Sequence, residues 1–336
     1  MRLPCLLLGL ALGLLGCDSS GPSSAPLEPT GMTIPTGAHA LDLRAESLAF
    51  ALTVSGREEV HDLAGRIAPP IPGHESETIR AVRSVAGGVV WACLERAVAV
   101  YDGATWTFHD LPALSLRDLD PTGTCVGLDA RTTTDAYVSM GRSVCLWDGL
   151  AWDCRQFGSP ASGLALTRGH LWFLQTASGY DELTVIDTIS LATPALVRLG
   201  PLGSTGHVLP VPGDDRVVVM HRAPETSAPC DDCFARTVST DGSLEPEDAA
   251  FVLPVSRDER YVLRVAAGSP LSCGGGLFPT CGADAARSQL SVFRVTAGAT
   301  REVGHLTHDG AGGVPAWAFR GAGGLLVPGE ELYALP

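Results

Sequence analysis

Two stretches of this chain superpose at a fixed offset without a gap, and that repeat restricts the fold more than any other feature of the sequence. At 147 − 101 = 46 residues, Val82 falls on Leu128, Trp91 on Tyr137, Leu94 on Met140, Val98 on Val144 and Trp106 on Trp152. Each copy ends in one hairpin pattern, Val98-Ala99-Val100-Tyr101-Asp102-Gly103-Ala104-Thr105-Trp106 and then Val144-Cys145-Leu146-Trp147-Asp148-Gly149-Leu150-Ala151-Trp152-Asp153-Cys154. β-Branched and aromatic residues flank an Asp-Gly pair, which tolerates the positive φ of a tight turn.

A period in the forties is the size of one four-stranded propeller blade. The sequence therefore predicts an all-β fold, a β-propeller of six or seven four-stranded blades. Its 39 glycines and 24 prolines, against 6% aromatic residues, suit many short strands joined by turns. The first blade is expected to begin near Ala45, the second to span residues 79–112 and the third residues 125–157. A fourth covers 164–199, a fifth 208–242, and a sixth 250–295 with a Gly-rich insertion at 268–286. Three last strands, at 316–319, 324–327 and 331–334, are expected to join N-terminal strands and close the ring, because an open array exposes two sheet edges. A β-sandwich is the competing architecture and does not explain the register. Trp91, Trp106, Trp152 and Trp172 are expected to fill the gaps between neighbouring sheets.

The N-terminus carries a different kind of signal. Arg2 is a short positive region, residues 6–15 are an apolar run too short to span a bilayer comfortably, and Gly16 precedes Cys17. Leu14-Leu15-Gly16-Cys17 resembles the lipobox of bacterial lipoproteins. That resemblance implies a signal peptide over residues 1–16 and a thioether-linked diacylglycerol on Cys17, with the new amino group acylated. Several acyl chains at roughly 0.8 kcal/mol per buried methylene hold a protein to a membrane essentially permanently. Residues 17–40 turn to Ser, Gly, Pro and Thr without periodicity and read as a flexible tether, leaving 41–336 for the propeller. The expected location is the exported side of the cell envelope, on the inner or outer membrane.

Charge narrows the partners. With 23 basic and 37 acidic residues the net charge is −14, a surface that repels phosphate backbones, so nucleic acid is not expected as a partner. The chain has no Lys and no Asn, as a very GC-rich genome produces. A monomer is expected.

Apart from Cys5 and Cys17, eight cysteines remain, an even number that suits disulfides in an exported chain. Cys145 and Cys154 face each other across the proposed hairpin, Cys230 and Cys233 sit two apart in an Asp-bearing loop, and Cys273 and Cys281 bracket a Gly-rich loop. By elimination Cys93 meets Cys125. Redox or metal chemistry at Cys230-Asp231-Asp232-Cys233 is the rival reading, but no helix follows to lower a thiol pKa and no second pair stands at zinc spacing.

No catalytic, cofactor or metal residues are assigned. Gly-x-Ser-x-Gly and phosphate-loop motifs are absent, and Asp118, Asp120 and Thr122 form only an incomplete calcium loop. His305-Leu306-Thr307-His308-Asp309 reads as a polar turn. Asp102-Gly103-Ala104-Thr105-Trp106 is similar to the Asp box of sialidase propellers but lacks a residue between Asp and Gly, so no activity is carried over.

The Trp-Asp-Gly-x-x-Trp hairpin behind a lipobox resembles propeller lipoproteins of Gram-negative bacteria with high-GC genomes, myxobacteria among them. The resemblance implies a membrane-tethered scaffold that binds a protein, peptide or glycan where blade loops converge, and the lack of a recognisable catalytic arrangement leads to the expectation of a chain that is not an enzyme. The alternatives are a carbohydrate-active or other propeller hydrolase or lyase, and an envelope-assembly factor.

Overall fold

The computed structural model describes residues 25–335 except 36, 45–46, 96, 112–124, 178–179, 190–191, 194, 202–206, 222–233, 248–250, 266–270, 275–279, 284–287, 309–315, 321–322 and 328–330. Alternating apolar residues and Gly- or Asp-bearing turns give seven four-stranded antiparallel sheets. They occupy residues 39–68, 81–110, 125–156, 161–201, 207–247, 251–308 and 316–335, here called blades 1 to 7. Within blades 1 to 5 the strands pair in chain order. Blade 6 carries an extra two-stranded hairpin, Leu271–Gly274 with Thr280–Ala283, inside the Gly-rich insertion.

The first strands of consecutive blades lie side by side: His39–Arg44 beside Ala81–Val85, then Cys125–Thr132, Ala161–Leu166, His207–Pro210 and Phe251–Ser256. Between the sheets sit small and β-branched side chains. Ala49, Val60, Ile71, Ile79 and Val90 pack where blades 1 and 2 meet, and Val98, Val138, Ala136 and Leu128 where blades 2 and 3 meet. Alanines at 0% exposure let the sheets approach closely, while each fully buried Leu or Phe contributes about 1.5–3 kcal/mol.

Blade 7 takes its outermost strand from the other end of the chain. Pro29–Thr33 pairs antiparallel with Glu331–Leu335, and Ala316–Arg320 lies against the first two strands of blade 1. Before reaching blade 7 the N-terminal segment crosses blade 6, where the Leu27 amide donates to the His305 carbonyl at 2.9 Å. A Cβ at Gly304 would meet the Leu27 side chain, which would have to shift to admit one, so glycine eases the close approach there.

Several expectations are corrected in detail. Blade 1 starts at His39 rather than Ala45, because His39–Arg44 is already its first strand. The stretch read as tether contributes the strand Pro29–Thr33. His305 to His308 lie in the strand Ala299–His308 and not in a turn. Cys17 and the rest of the expected signal lie outside the described residues, as do Asp118, Asp120 and Thr122. Among the described residues no helix is long and apolar enough to cross a membrane.

Candidate functional site

Antiparallel pairing puts the turns between first and second strands, and between third and fourth, on one side of the ring. The third-to-fourth turns are built alike. The Asp102 Oδ1 accepts from the amides of Ala104 and Thr105, Asp148 from Leu150 and Ala151, Asp62 from Ala64 and Gly65, Asp187 from Ile189, and Asp241 from Ser243. Gly103 and Gly149 follow with φ of 97° and 94°, a conformation glycine adopts without strain. The Thr105 amide, with that of Ala104, holds the Asp102 carboxyl below its usual range, and the amides of Ala151 and Leu150 do the same for Asp148. These aspartates fix turns, which is why the pair recurs in the repeat.

The tryptophans divide into two sets. Trp91 and Trp172 are at 0% exposure, with Trp91 Nε1 donating to the Thr132 carbonyl at 2.8 Å. Trp106 and Trp152 are half-buried, and Trp106 Nε1 donates to the Pro69 carbonyl at 2.9 Å. His109 stacks between blades, 4.1 Å from the Trp147 ring, and burial pushes its pKa down.

Cys93 and Cys125 form a disulfide that ties blade 2 to blade 3, and Cys145 and Cys154 form one between directly paired strands. Cys273 and Cys281 are paired in register across the blade 6 hairpin. Cys230 and Cys233 lie outside the described residues.

An ion-pair bridge joins the first strands of three blades. Arg83 Nη1 lies 3.0 Å from Asp42 Oδ2, and Arg83 Nε lies 3.0 Å from Asp129 Oδ1. The Ser84 amide also donates to Asp42, and the amides of Ala130 and Leu166 to Asp129. Both carboxylates are buried. Every oxygen of this network faces a donor from the protein, so it serves to hold neighbouring blades together.

A group of ionisable side chains lies on the first-to-second-strand turns of blades 3, 4 and 5. Arg131 Nη2 donates to the carbonyls of Thr167 and Arg168, and Nη1 pairs with Asp135 at 2.8 Å. From blade 5, Asp215 Oδ1 accepts from the Gly169 amide at 2.7 Å and the Thr167 hydroxyl at 3.1 Å. His170 Nδ1 lies 3.3 Å from the same oxygen, within ion-pair reach but off the line of a hydrogen bond. Burial opposes ionisation of Asp215, yet the Gly169 amide, the His170 ring and the Thr167 hydroxyl outweigh it and hold the carboxyl below its usual range. Beneath the turn, burial and the Asp135 charge push the Tyr137 phenol up to about 12, with Thr188 and Arg131 in hydrogen-bond reach.

The arrangement sets an imidazole beside a carboxylate, with His170 Nδ1 3.3 Å from Asp215 Oδ1, close enough for the carboxylate to favour a proton on the ring. Three other histidine–carboxylate pairs among the described residues are hydrogen-bonded: His39 Nε2 faces Glu58 Oε2 at 2.8 Å with Nδ1 at 3.2 Å from the Gly37 carbonyl, His61 Nε2 faces Glu59 Oε2 at 3.0 Å, and His74 Nδ1 faces Glu77 Oε2 at 2.8 Å. Thr53 also donates to that Glu58. The His170–Asp215 pair is not visible in the sequence, since its members are 215 − 170 = 45 residues apart and meet only because blades 4 and 5 are neighbours. Among the described residues, no group of three or more His, Cys, Asp or Glu is placed to hold a metal ion.

No protein-family profile matches the chain, and no curated protein does. Solved structures match its fold along most of its length. Virginiamycin B lyase from Staphylococcus aureus is 12% identical with a TM-score of 0.56, over 92% of this chain and 99% of that one. A streptogramin B lyase is 12% identical with a TM-score of 0.54, over 92% and 97%. The WD40 domain of Toxoplasma gondii coronin is 11% identical with a TM-score of 0.56, over 93% and 87%. At such identities the likeness establishes the propeller-like fold and nothing finer. It does correct one expectation: enzymes stand among the similar structures, so the architecture gives no ground for reading this chain as a non-enzyme.

Proposed function

We propose that this chain is a lipid-anchored envelope protein, held by Cys17, whose propeller carries out lyase or hydrolase chemistry with His170 moving the proton and the Asp215 carboxylate beside it stabilising the charged ring. The observation that carries the reading is the His170–Asp215 pair: an imidazole 3.3 Å from a carboxylate that other donors keep ionised. The fold likeness to virginiamycin B lyase and streptogramin B lyase favours elimination as the class of reaction. In such a step the base removes a proton from the carbon beside a carbonyl, the electron pair becomes a double bond, and the bond to the leaving oxygen or nitrogen breaks. Arg131, Thr167 and Tyr137 act as positioning residues that fix the turn carrying His170.

A binding scaffold is the second reading, favoured by the coronin WD40 likeness and by the internal pairing of Arg131 with the turn carbonyls. One experiment separates the two. The purified chain is incubated with uronate-containing polysaccharides and with virginiamycin B, and new conjugated double bonds are followed by ultraviolet absorbance and new reducing ends by a colour assay. Turnover is expected to fall by about 100-fold or more in His170→Gln at unchanged melting temperature. Turnover equal in His170→Gln and the parent would refute the assignment, and binding without turnover would favour the scaffold.

A further inference from the structure

A cleft of about 460 Å³ opens between blades 1 and 2 on the same side of the ring as the turns described above. Its lining comes from both blades: Leu48 and Ile67 from one, Val85 and Val90 from the other, with Asp62 and Tyr101 at its polar edge. None of these residues belongs to the His170 group, so a ligand held here is independent of the function proposed above.

We propose that this cleft is a binding site for a small amphipathic cation, an ammonium group carried on an apolar body. Three observations lead there. The volume falls in the range of roughly 300–1,000 Å³ typical of small-molecule sites. Five aliphatic side chains line it, so the ligand's body is apolar. Of the polar side chains that line it, Asp62 and Tyr101 offer acceptors, and the Ser84 hydroxyl can both donate and accept. The Tyr101 hydroxyl gives its hydrogen to the Gly103 carbonyl at 3.1 Å, which turns its lone pairs outward to any partner. Asp62 takes the amides of Ala64 and Gly65 on Oδ1, leaving Oδ2 as the acceptor for a ligand. A ligand that satisfies both must donate hydrogen bonds, and beside a carboxylate on a chain of net charge −14 a cationic donor is favoured over a neutral one.

The site tolerates the two blades' separate origins because Asp42, beside Ser84 of the cleft, is clamped to Arg83. That clamp fixes the spacing between the first strands of blades 1 and 2, and with it the width of the opening. The site is thus preformed and need not close around its ligand.

The test uses three probes of one shape: phenethylamine, its neutral counterpart phenethyl alcohol, and the anionic hydrocinnamate. Each is titrated calorimetrically into the purified chain near neutral pH. Phenethylamine is expected to bind, phenethyl alcohol about tenfold more weakly and hydrocinnamate not at all. Asp62→Asn keeps the turn acceptor and removes the charge, so it should bring the amine down to the affinity of the alcohol. Ile67→Trp fills the cleft and should abolish binding of both, with cooperative thermal unfolding showing that the variant folds. Failure of the amine to bind, equal binding of hydrocinnamate, or amine binding unchanged in Asp62→Asn and Ile67→Trp would each overturn the proposal. Loss of turnover in His170→Gln with amine binding retained would show the two sites to be separate.

Discussion

Arg83 and Asp129 occupy the same position of neighbouring blades, 129 − 83 = 46 residues apart, and their side chains meet, Nε lying 3.0 Å from Oδ1. The repeat thus places opposite charges at one structural position, and with Asp42 on the other side the signs alternate across three blades. Arg83 neutralises both buried carboxylates at once.

Replacing it is therefore expected to be severe. Arg83→Met should cost about 3 to 5 kcal/mol of unfolding free energy, the usual effect of leaving a buried charge without its partner. Urea unfolding measures it. Adding Asp42→Asn and Asp129→Asn to the same chain should recover most of the loss.

The two sets of tryptophans are expected to differ in the same assay. Trp91→Ala removes a side chain at 0% exposure together with its bond to Thr132, and should cost about 3 to 5 kcal/mol. Trp106→Ala, at a half-buried position, should cost less than half as much.

The disulfides should rank by the loops they close. Cys93–Cys125 spans 32 residues and Cys145–Cys154 spans 9. Chain-entropy arguments give about 3.5 and about 2.5 kcal/mol respectively. The double variant Cys93→Ser/Cys125→Ser should accordingly melt at a lower temperature than Cys145→Ser/Cys154→Ser.

Alkaline pH tests Tyr137. Its folded pKa is raised from 10.0 to about 12, so the stability it confers is complete below pH 10 and is lost as pH rises through 12. Tyr137→Phe should flatten the decline of unfolding free energy between those values. Tyr261, also pushed up by burial, accounts for a residual slope.

Much of the architecture is legible in the chain because blades 2 and 3 keep a gapless register. That register exists for a physical reason: Asp102 and Asp148 each fold a turn by accepting two backbone amides, and Gly103 and Gly149 supply the positive φ. What stays hidden depends on neighbours far away in the sequence. His305 reads as part of a polar turn, yet it lies in the strand Ala299–His308, where its carbonyl accepts from the Leu27 amide of the crossing N-terminal segment. Pro29–Thr33 shows no strong alternation because an outermost strand need not bury one face, and its burial indeed alternates only between exposed and half-buried. Asp215 and His170 look like scattered polar residues until adjacent blades bring their turns together.

The pairing of Pro29–Thr33 with Glu331–Leu335 also governs the order in which the molecule can be made. A ribosome delivers Pro29–Thr33 long before Glu331–Leu335, so the seam is sealed only after all the intervening blades have been made. Until then the opening segment has no sheet to join, and the nascent chain must pass through this interval without that edge pairing with a neighbour. Contacts of such extreme sequence separation form slowly. Maturation of this protein should therefore include a slow step, in which these two distant segments find one another.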